Sequence, residues 1–465
     1  MTVRPAMSGN VAVEPAYVAH QKIYPREVGG RFARLRVAAV LSLLGLYYIL
    51  PWIRWDARQA VLFDLPARKF YIFSLAFWPQ DFIFLSWLLI IAALSLFFFT
   101  ALAGRLWCGF ACPQTVWTEV FVWLERLAEG KRAQRMKLDR APWSAAKLGR
   151  KTLKYVLWTA CALWTGFTFV GYFTPIGTLG REILAGTPGP WELFWILFYG
   201  FATFGNAGLL REQVCKYMCP YARFQSAMFD RHTLIISYDE ARGEPRGARQ
   251  RASNHRSMGL GDCIDCTLCV QVCPTGIDIR AGLQYECIAC AACIDACDGV
   301  MDRMGYARGL IRYATEAGVQ GRRAKILRPR MILYGSALAA LIVGFVTAIA
   351  LRNPIAIDVL HDRNGLYRVI GNDTVENVYL VRLLNKDEHA HRLALSARGL
   401  PGLQLDTDDP RPWVGGGQTL AIAVRLRAPQ SPELSISNRV FIRASQSDGT
   451  PRYAESTTRF IAPQG

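Results

Sequence analysis

Eight of the chain's thirteen cysteines fall between Cys263 and Cys297, in two runs spaced C-x2-C-x2-C-x3-C. That is the spacing of bacterial two-cluster ferredoxins, in which three thiolates of one run bind one cube and the fourth crosses to the other. On this reading Cys263, Cys266, Cys269 and Cys297 hold one [4Fe–4S] centre. Cys287, Cys290, Cys293 and Cys273 hold the second. Thiolates suit a soft, anionic, one-electron core. Paired zinc knuckles and a disulfide framework are the alternatives. Zinc sites rarely use an eight-cysteine tandem with this rhythm, and a disulfide array fits poorly beside membrane spans with cytosolic flanks. Pro274 follows Cys273, whereas Asp298 follows Cys297, so the second half lacks the usual closing proline. The short connection between the halves implies a compact module.

The rest of the chain must place that module against a bilayer. Apolar residues make up 52% and charged residues 19%, a balance that indicates a membrane protein with soluble parts. Apolar runs at about 37–53, 82–103, 155–173, 191–210 and 331–351 each approach the roughly 20 residues needed to span. Tyr47, Tyr48 and Trp52 give the shortest run an interfacial belt. The first 30 residues are polar and contain proline, so no signal peptide is expected. Cys161, alone in an apolar run, reads as a small packing residue.

Basic residues set the expected orientation. The loop 104–154 carries eleven Lys or Arg and the stretch 211–330 eighteen, against four in 54–81 and one in 174–190. This predicts a cytoplasmic amino terminus and cytoplasmic clusters, with the tail outside. A reducing compartment also suits the clusters. The tail has fourteen basic and twelve acidic residues, so nearly all of the net charge of +18 belongs to the cytoplasmic face. Anionic lipid headgroups account for it better than a nucleic acid does.

The expected organisation is a multi-domain membrane protein. A basic arm (1–36) precedes four spans (37–210), a ferredoxin-like segment (211–330), a fifth span (331–351) and an outer β-domain (352–465). Within the last, Asn377–Leu384, Thr419–Leu426 and Arg439–Ala444 alternate between two faces, separated by turns at Asp408-Asp409-Pro410 and Gly415–Gly417. Such strands predict an antiparallel, immunoglobulin-like β-sandwich. His389 and His391 are expected to alternate on one strand and face solvent, with copper binding as the other reading.

Two further motifs, WCGFACP (Trp107–Pro113) and VCKYMCP (Val214–Pro220), follow the second and fourth spans. Each is C-x3-C-P followed by an amphipathic, aromatic stretch, which marks an internal repeat of a two-span unit. Two such units in one orientation would bring Cys108, Cys112, Cys215 and Cys219 together at one depth. Residues i and i+4 share a helical face, and a proline starts a new helix after each second cysteine. Cys112 and Cys219 are therefore expected to cap helices whose dipole lowers the thiol pKa. With Met218 nearby, the four would make a soft site fit for Cu(I). Packing cysteines at a helix break, or a redox disulfide, are the other readings.

RLWCGFACPQTVWTE, EQVCKYMCPYARFQSAMFD, RGEPRG at 242–247 and the double cysteine run together resemble the FixG/CcoG/RdxA family of cytochrome c oxidase accessory proteins. The resemblance covers nearly the whole chain. It implies a bacterial inner-membrane protein with a periplasmic immunoglobulin-like tail and a role in assembling the cbb(3)-type oxidase. It further implies a cupric reductase supplying Cu(I) to a copper-exporting ATPase, with Cys108, Cys112, Cys215 and Cys219 handling transient copper. A cytosolic electron donor is then required, and a homodimer is among the expected assemblies. A quinol-linked electron conduit is the second function expected, and a non-enzymatic assembly scaffold or copper chaperone the third.

Overall fold

The computed structural model describes residues 22–56, 58–251, 257–323, 325–362, 365–371, 373–430, 434–447 and 452–463. The first 21 residues of the expected basic arm lie outside these. The helices that position the site are α1 (Arg31–Ile49), α2 (Phe82–Ala103), α3 (Leu106–Phe110), α4 (Pro113–Glu129), α5 (Arg132–Arg140), α6 (Ala145–Val170), α7 (Ile176–Leu184), α8 (Pro190–Thr203) and α9 (Pro220–Ala227). Two compact units form, each from separate stretches of chain. Among the described residues, one comprises those within Met1–Ala39, Ala103–Trp158 and Asn206–Ala324; the other comprises those within Val40–Leu102, Thr159–Gly205 and Lys325–Gly465.

The second unit holds most of the apolar helix. Five helical stretches in the chain are long and apolar enough to cross a membrane: Arg31–Trp52, Pro79–Ala103, Ala145–Val170, Pro190–Leu210 and Pro329–Ala350. Their large side chains stay uncovered; Phe82 and Ile83 are each 65% exposed, which only a lipid solvent makes inexpensive. Small residues let the helices approach. A Cβ on Gly166 of α6 would stand 2.3 Å from the Ile196 carbonyl oxygen of α8, and one on Gly344 would stand 2.9 Å from Trp87 of α2. The third span begins at Ala145 rather than near 155, because its first turns carry Lys147, Arg150, Lys151 and Lys154. Hydropathy cannot register such a helical start.

The same unit ends in a β-sandwich. One sheet orders Gln404–Asp406, Thr419–Pro429, Thr374–Asn385 and Ile355–His361, with Arg368–Ile370 also on Thr374–Asn385; the other orders Trp413–Val414, His391–Arg398, Ser437–Gln446 and Tyr453–Ile461. Alternate residues Tyr379, Val381 and Leu383 are fully buried and meet Leu393, Ile442 and Phe460 from the facing sheet. Each contributes about 1.5–3 kcal/mol by leaving water. The expected immunoglobulin-like sandwich forms, with one correction at its histidines. His389 lies in the turn before the strand rather than on it, and His391, which starts the strand, is half-buried. Asp387 draws both: its carboxylate is 3.5 Å from His389 and 3.0 Å from His391.

The loop 54–81 is itself folded, with Val61–Asp64, Lys69–Ile72 and Leu75–Phe77 forming a small antiparallel sheet. Buried Asp81 joins it to the sandwich, pairing with Arg352 at 2.5 Å and Lys386 at 2.8 Å. Arg58 reaches Glu388 at 2.6 Å. The β-domain thus sits at the end of the spans where the first two are connected.

Candidate functional site

The first unit carries the cysteine chemistry. Strands Ile235–Tyr238 and Ile311–Ala314 pair antiparallel, and helices Leu268–Gln271 and Ala292–Met304 pack beside them. Both cysteine runs fold alike. Asp265 and Thr267 flank Cys266 with φ of 55°, and Ala289 and Ala291 flank Cys290 with φ of 54° and 58°. Left-handed residues without glycine are uncommon, and their alternation turns successive N–H groups inward to form an anion-binding nest. A cube with four thiolates is such an anion. Cys263, Cys266, Cys269 and Cys297 line one hollow with Tyr238 and Arg280. Cys273, Cys287, Cys290 and Cys293 line another, and Cys269 lines both. The grouping matches the crossed pattern of the spacing, and both sites fit a four-iron cube. Bound there, such a cube would supply electrons one at a time.

RGEPRG supports the first site: the Gly243 carbonyl accepts from Cys263 N–H at 3.3 Å, and Gly247 N–H donates to the Cys263 carbonyl at 3.2 Å. Burial pushes the thiols of these sites up, Cys269 to about 11, Cys287 to about 12 and Cys290 to about 11.

The two C-x3-C-P motifs repeat at the level of single hydrogen bonds. Cys112 N–H donates to Trp107 O at 2.9 Å, and Cys219 N–H donates to Val214 O at 2.8 Å. Each bond reaches back five residues rather than the four expected of an α-helical face. The following proline drives each cysteine into extended backbone (φ −62°, ψ 128° and φ −81°, ψ 106°), which widens the last turn. Cys112 and Cys219 do cap the next helices, α4 and α9, with proline at the first position.

The expected lowering of thiol pKa is not found at Cys112. Burial raises it, and the N–H groups of Gln114 and Thr115 offset only part of that. Burial, with Cys112 beside it, takes Cys108 to about 11. Cys215 rises to about 12 through burial and its neighbours Cys112, Cys108 and Cys219.

Cys108 is influenced by Cys112 and Cys219, and Cys215 by the other three. The four thiols do not close on one point. Among the described residues no group of three or more His, Cys, Asp or Glu could hold a single metal ion. Cys108 instead points its Sγ at Gln225 Oε1, 3.3 Å away, and Cys215 faces a cavity. That cavity, ≈ 170 Å³, touches both Cys215 and Cys290, with Arg36, Glu119, Trp123 and Glu212 also on its wall.

Several residues that the motifs did not single out build the junction between thiols and clusters. A Cβ on Gly109, inside the first motif, would lie 2.7 Å from Ile288 O and 2.8 Å from Ala289 O, so α3 presses on the loop between Cys287 and Cys290. Arg105, 4% exposed, donates to the carbonyls of Tyr285 and Ala222. Gln114 Nε2 donates to Asn206 O at 2.8 Å and Arg211 O at 3.0 Å, tying the two motifs together. Glu125 of α4, fully buried, binds Arg211 at 2.7 Å and Arg135 at 3.2 Å. The available signals were adjacency: Gln114 follows the first C-P, and Arg105 precedes Cys108 by three.

Known proteins resemble this chain both segment by segment and along most of its length. A 4Fe–4S dicluster domain matches residues 210–316, and a 4Fe–4S binding domain matches 85–132, the region of the first C-x3-C-P motif. The Ig-like fold at the C-terminus of FixG, described as a putative oxidoreductase, matches 345–463. The chain is 38% identical to the nitrogen fixation protein FixG of Rhizobium meliloti, over 83% of this chain and 81% of that one. It is 39% identical to RdxA of Cereibacter sphaeroides, over 89% of each. RdxB of the same organism is 41% identical over 84% of this chain and 85% of its own. A solved FixG-related protein from Vibrio parahaemolyticus, 26% identical, spans 24% of this chain and 97% of that one, with a TM-score of 0.20. The chain belongs to the FixG family, iron–sulfur proteins of oxidoreductase type that end in an Ig-like domain.

Proposed function

We propose that this protein is a membrane-bound one-electron reductase that converts Cu(II) to Cu(I) for assembly of a cbb(3)-type oxidase. Cys263, Cys266, Cys269 and Cys297 bind the first cube; Cys287, Cys290, Cys293 and Cys273 bind the second. Cys108, Cys112, Cys215 and Cys219 receive the copper ion as substrate. A cubane's single electron matches the Cu(II)/Cu(I) couple, and soft sulfur favours the reduced ion. The observation that carries this reading is the contact of the first motif, at Gly109, with the Cys287–Cys290 loop. It brings the first motif, with Cys108 and Cys112, against the loop of the second cluster site. Among the described residues no three His, Cys, Asp or Glu already close on one ion, so the thiols must draw in around it, which suits a metal that is passed on rather than kept.

In this reading the clusters face the cytoplasm and a cytosolic donor, and the tail faces the periplasm, where it meets oxidase-assembly partners. A copper-exporting ATPase takes the product. Replacing Cys108 and Cys112 together with serine should abolish Cu(II) reduction, followed with a Cu(I)-specific dye, while leaving cluster absorbance intact. Reduction that survives the double replacement overturns the site. The ≈ 170 Å³ cavity touching Cys290 and Cys215 also favours a second reading, in which a quinol delivers the electrons there. Quinol-dependent bleaching of the clusters in proteoliposomes would establish that reading; no bleaching removes it.

A further inference from the structure

The loop that carries Cys287 and Cys290 is gripped by two arginines from outside the ferredoxin segment. Arg105, in the link between α2 and α3, donates to Tyr285 O at the loop's start. Arg36, on α1, donates Nη1 to Cys290 O at 2.7 Å at its end. Gly109 presses on the carbonyls between them. Both guanidiniums therefore lie against the loop's backbone, Arg36 at Cys290 and Arg105 at Tyr285, two residues before Cys287.

The first site is charged differently. Its lining arginine, Arg280, is paired with Asp265 at 2.5 Å and Asp278 at 2.7 Å. Arg249 reaches the Cys263 carbonyl at 3.3 Å, and Asp298 follows Cys297 directly in the chain. Cations there are met by at least as many carboxylates. Beside the second site, Glu119 and Glu212 line the cavity that Arg36 and Cys290 share, and Glu27 there pairs with Arg126. Arg36 makes no ion pair among the described residues; its bond is to a main-chain carbonyl.

Adding an electron to a buried anionic cube is opposed by burial, since water no longer spreads the charge. A nearby cation offsets that cost. We propose that Arg36 and Arg105 are positioning residues of the second cluster. They clamp its loop onto the C-x3-C-P helices and hold its reduction potential above that of the first, so that electrons collect beside the four thiols. This rests on the cluster assignment made above, and it concerns cluster potentials rather than copper.

The test is a redox titration of the full-length, anaerobically purified protein in detergent, followed by electron paramagnetic resonance, with iron and sulfide counted in every sample. In R105Q, and separately in R36Q, the same one of the two cluster signals should become at least about tenfold harder to reduce. That is 59 mV for a one-electron couple. The other signal should stay put, and R105K and R36K should restore the first. Eight irons with both potentials unchanged in the glutamine variants overturns the proposal; so does a shift in different clusters for the two sites. Should a glutamine variant fail to assemble iron, the lysine variant decides, because it keeps the charge and loses the fork. A potential held near wild type supports the role, and a fall of tenfold refutes it. Wild-type protein lacking iron would instead remove the cluster assignment itself.

Discussion

Gly109 is the residue that lets the first motif meet the Cys287–Cys290 loop. Its missing Cβ would meet Ile288 O at 2.7 Å and Ala289 O at 2.8 Å, and backbone cannot swing aside as a side chain can. Gly109→Ala should cost about 1–3 kcal/mol by overpacking. The expected result is a lower melting temperature and faster loss of iron on exposure to air. Gly149 of α6 meets nothing within 4 Å, so Gly149→Ala should instead stabilise by about 0.5–1 kcal/mol. A Gly109 variant that melts like wild type would mean the loop is free to move away from α3. The sequence displayed Gly109 only as a filler between two cysteines. Its importance lies in what crosses it from 180 residues further along, and no local pattern encodes that.

Among the elements, the pairing of α4 with its neighbours decides how the two motifs sit. Fully buried Glu125 binds Arg211, just before the second motif, and Arg135 of α5; Lys22 lies 3.6 Å away. Burial alone would raise its carboxyl, but Arg211, Lys22 and Arg135 outweigh that and hold it below the ordinary value of 4.5. Asp139 of α5 is likewise held well below its ordinary value: burial is outweighed by Lys151, Lys22 and Tyr24. A carboxylate lowered on folding contributes stability that is complete above its unfolded pKa and is lost as pH falls through the folded one. Melting temperature should therefore be level from neutral pH to about 5 and then fall. Glu125→Gln should cost about 3–5 kcal/mol at pH 7, because two arginines lose their counter-charge, and should flatten the acid fall. An unchanged acid profile in Glu125→Gln would assign the fall to other carboxylates. The repeat itself was plain in the spelling C-x3-C-P. The five-residue hydrogen bonds were not, because they arise from a proline's effect on the residue before it combined with the packing of the turn.

For the whole molecule, the link between the β-domain and the spans is concentrated in Asp81, which pairs with both Arg352 and Lys386. Asp81→Ala should cost about 3–5 kcal/mol by leaving two buried cations unmatched. It should also speed proteolytic release of the tail near Arg352, read by limited digestion in detergent; a digestion rate equal to wild type would make the link incidental. The sequence by itself determined the cysteine rhythm, the five apolar stretches, the repeat and the alternating strands. Each of these follows from short-range rules of ligand spacing, hydropathy and side-chain period. It misplaced His389, and it expected lowered thiols at Cys112, where burial exceeds the helix-end effect. Only the tertiary structure decided that α3 abuts the Cys287–Cys290 loop, that Arg36 and Arg105 grip that loop, and that the four motif thiols are neighbours without closing on one ion. Those outcomes depend on contacts between residues 100 to 250 positions apart, and on how much water is excluded when they meet.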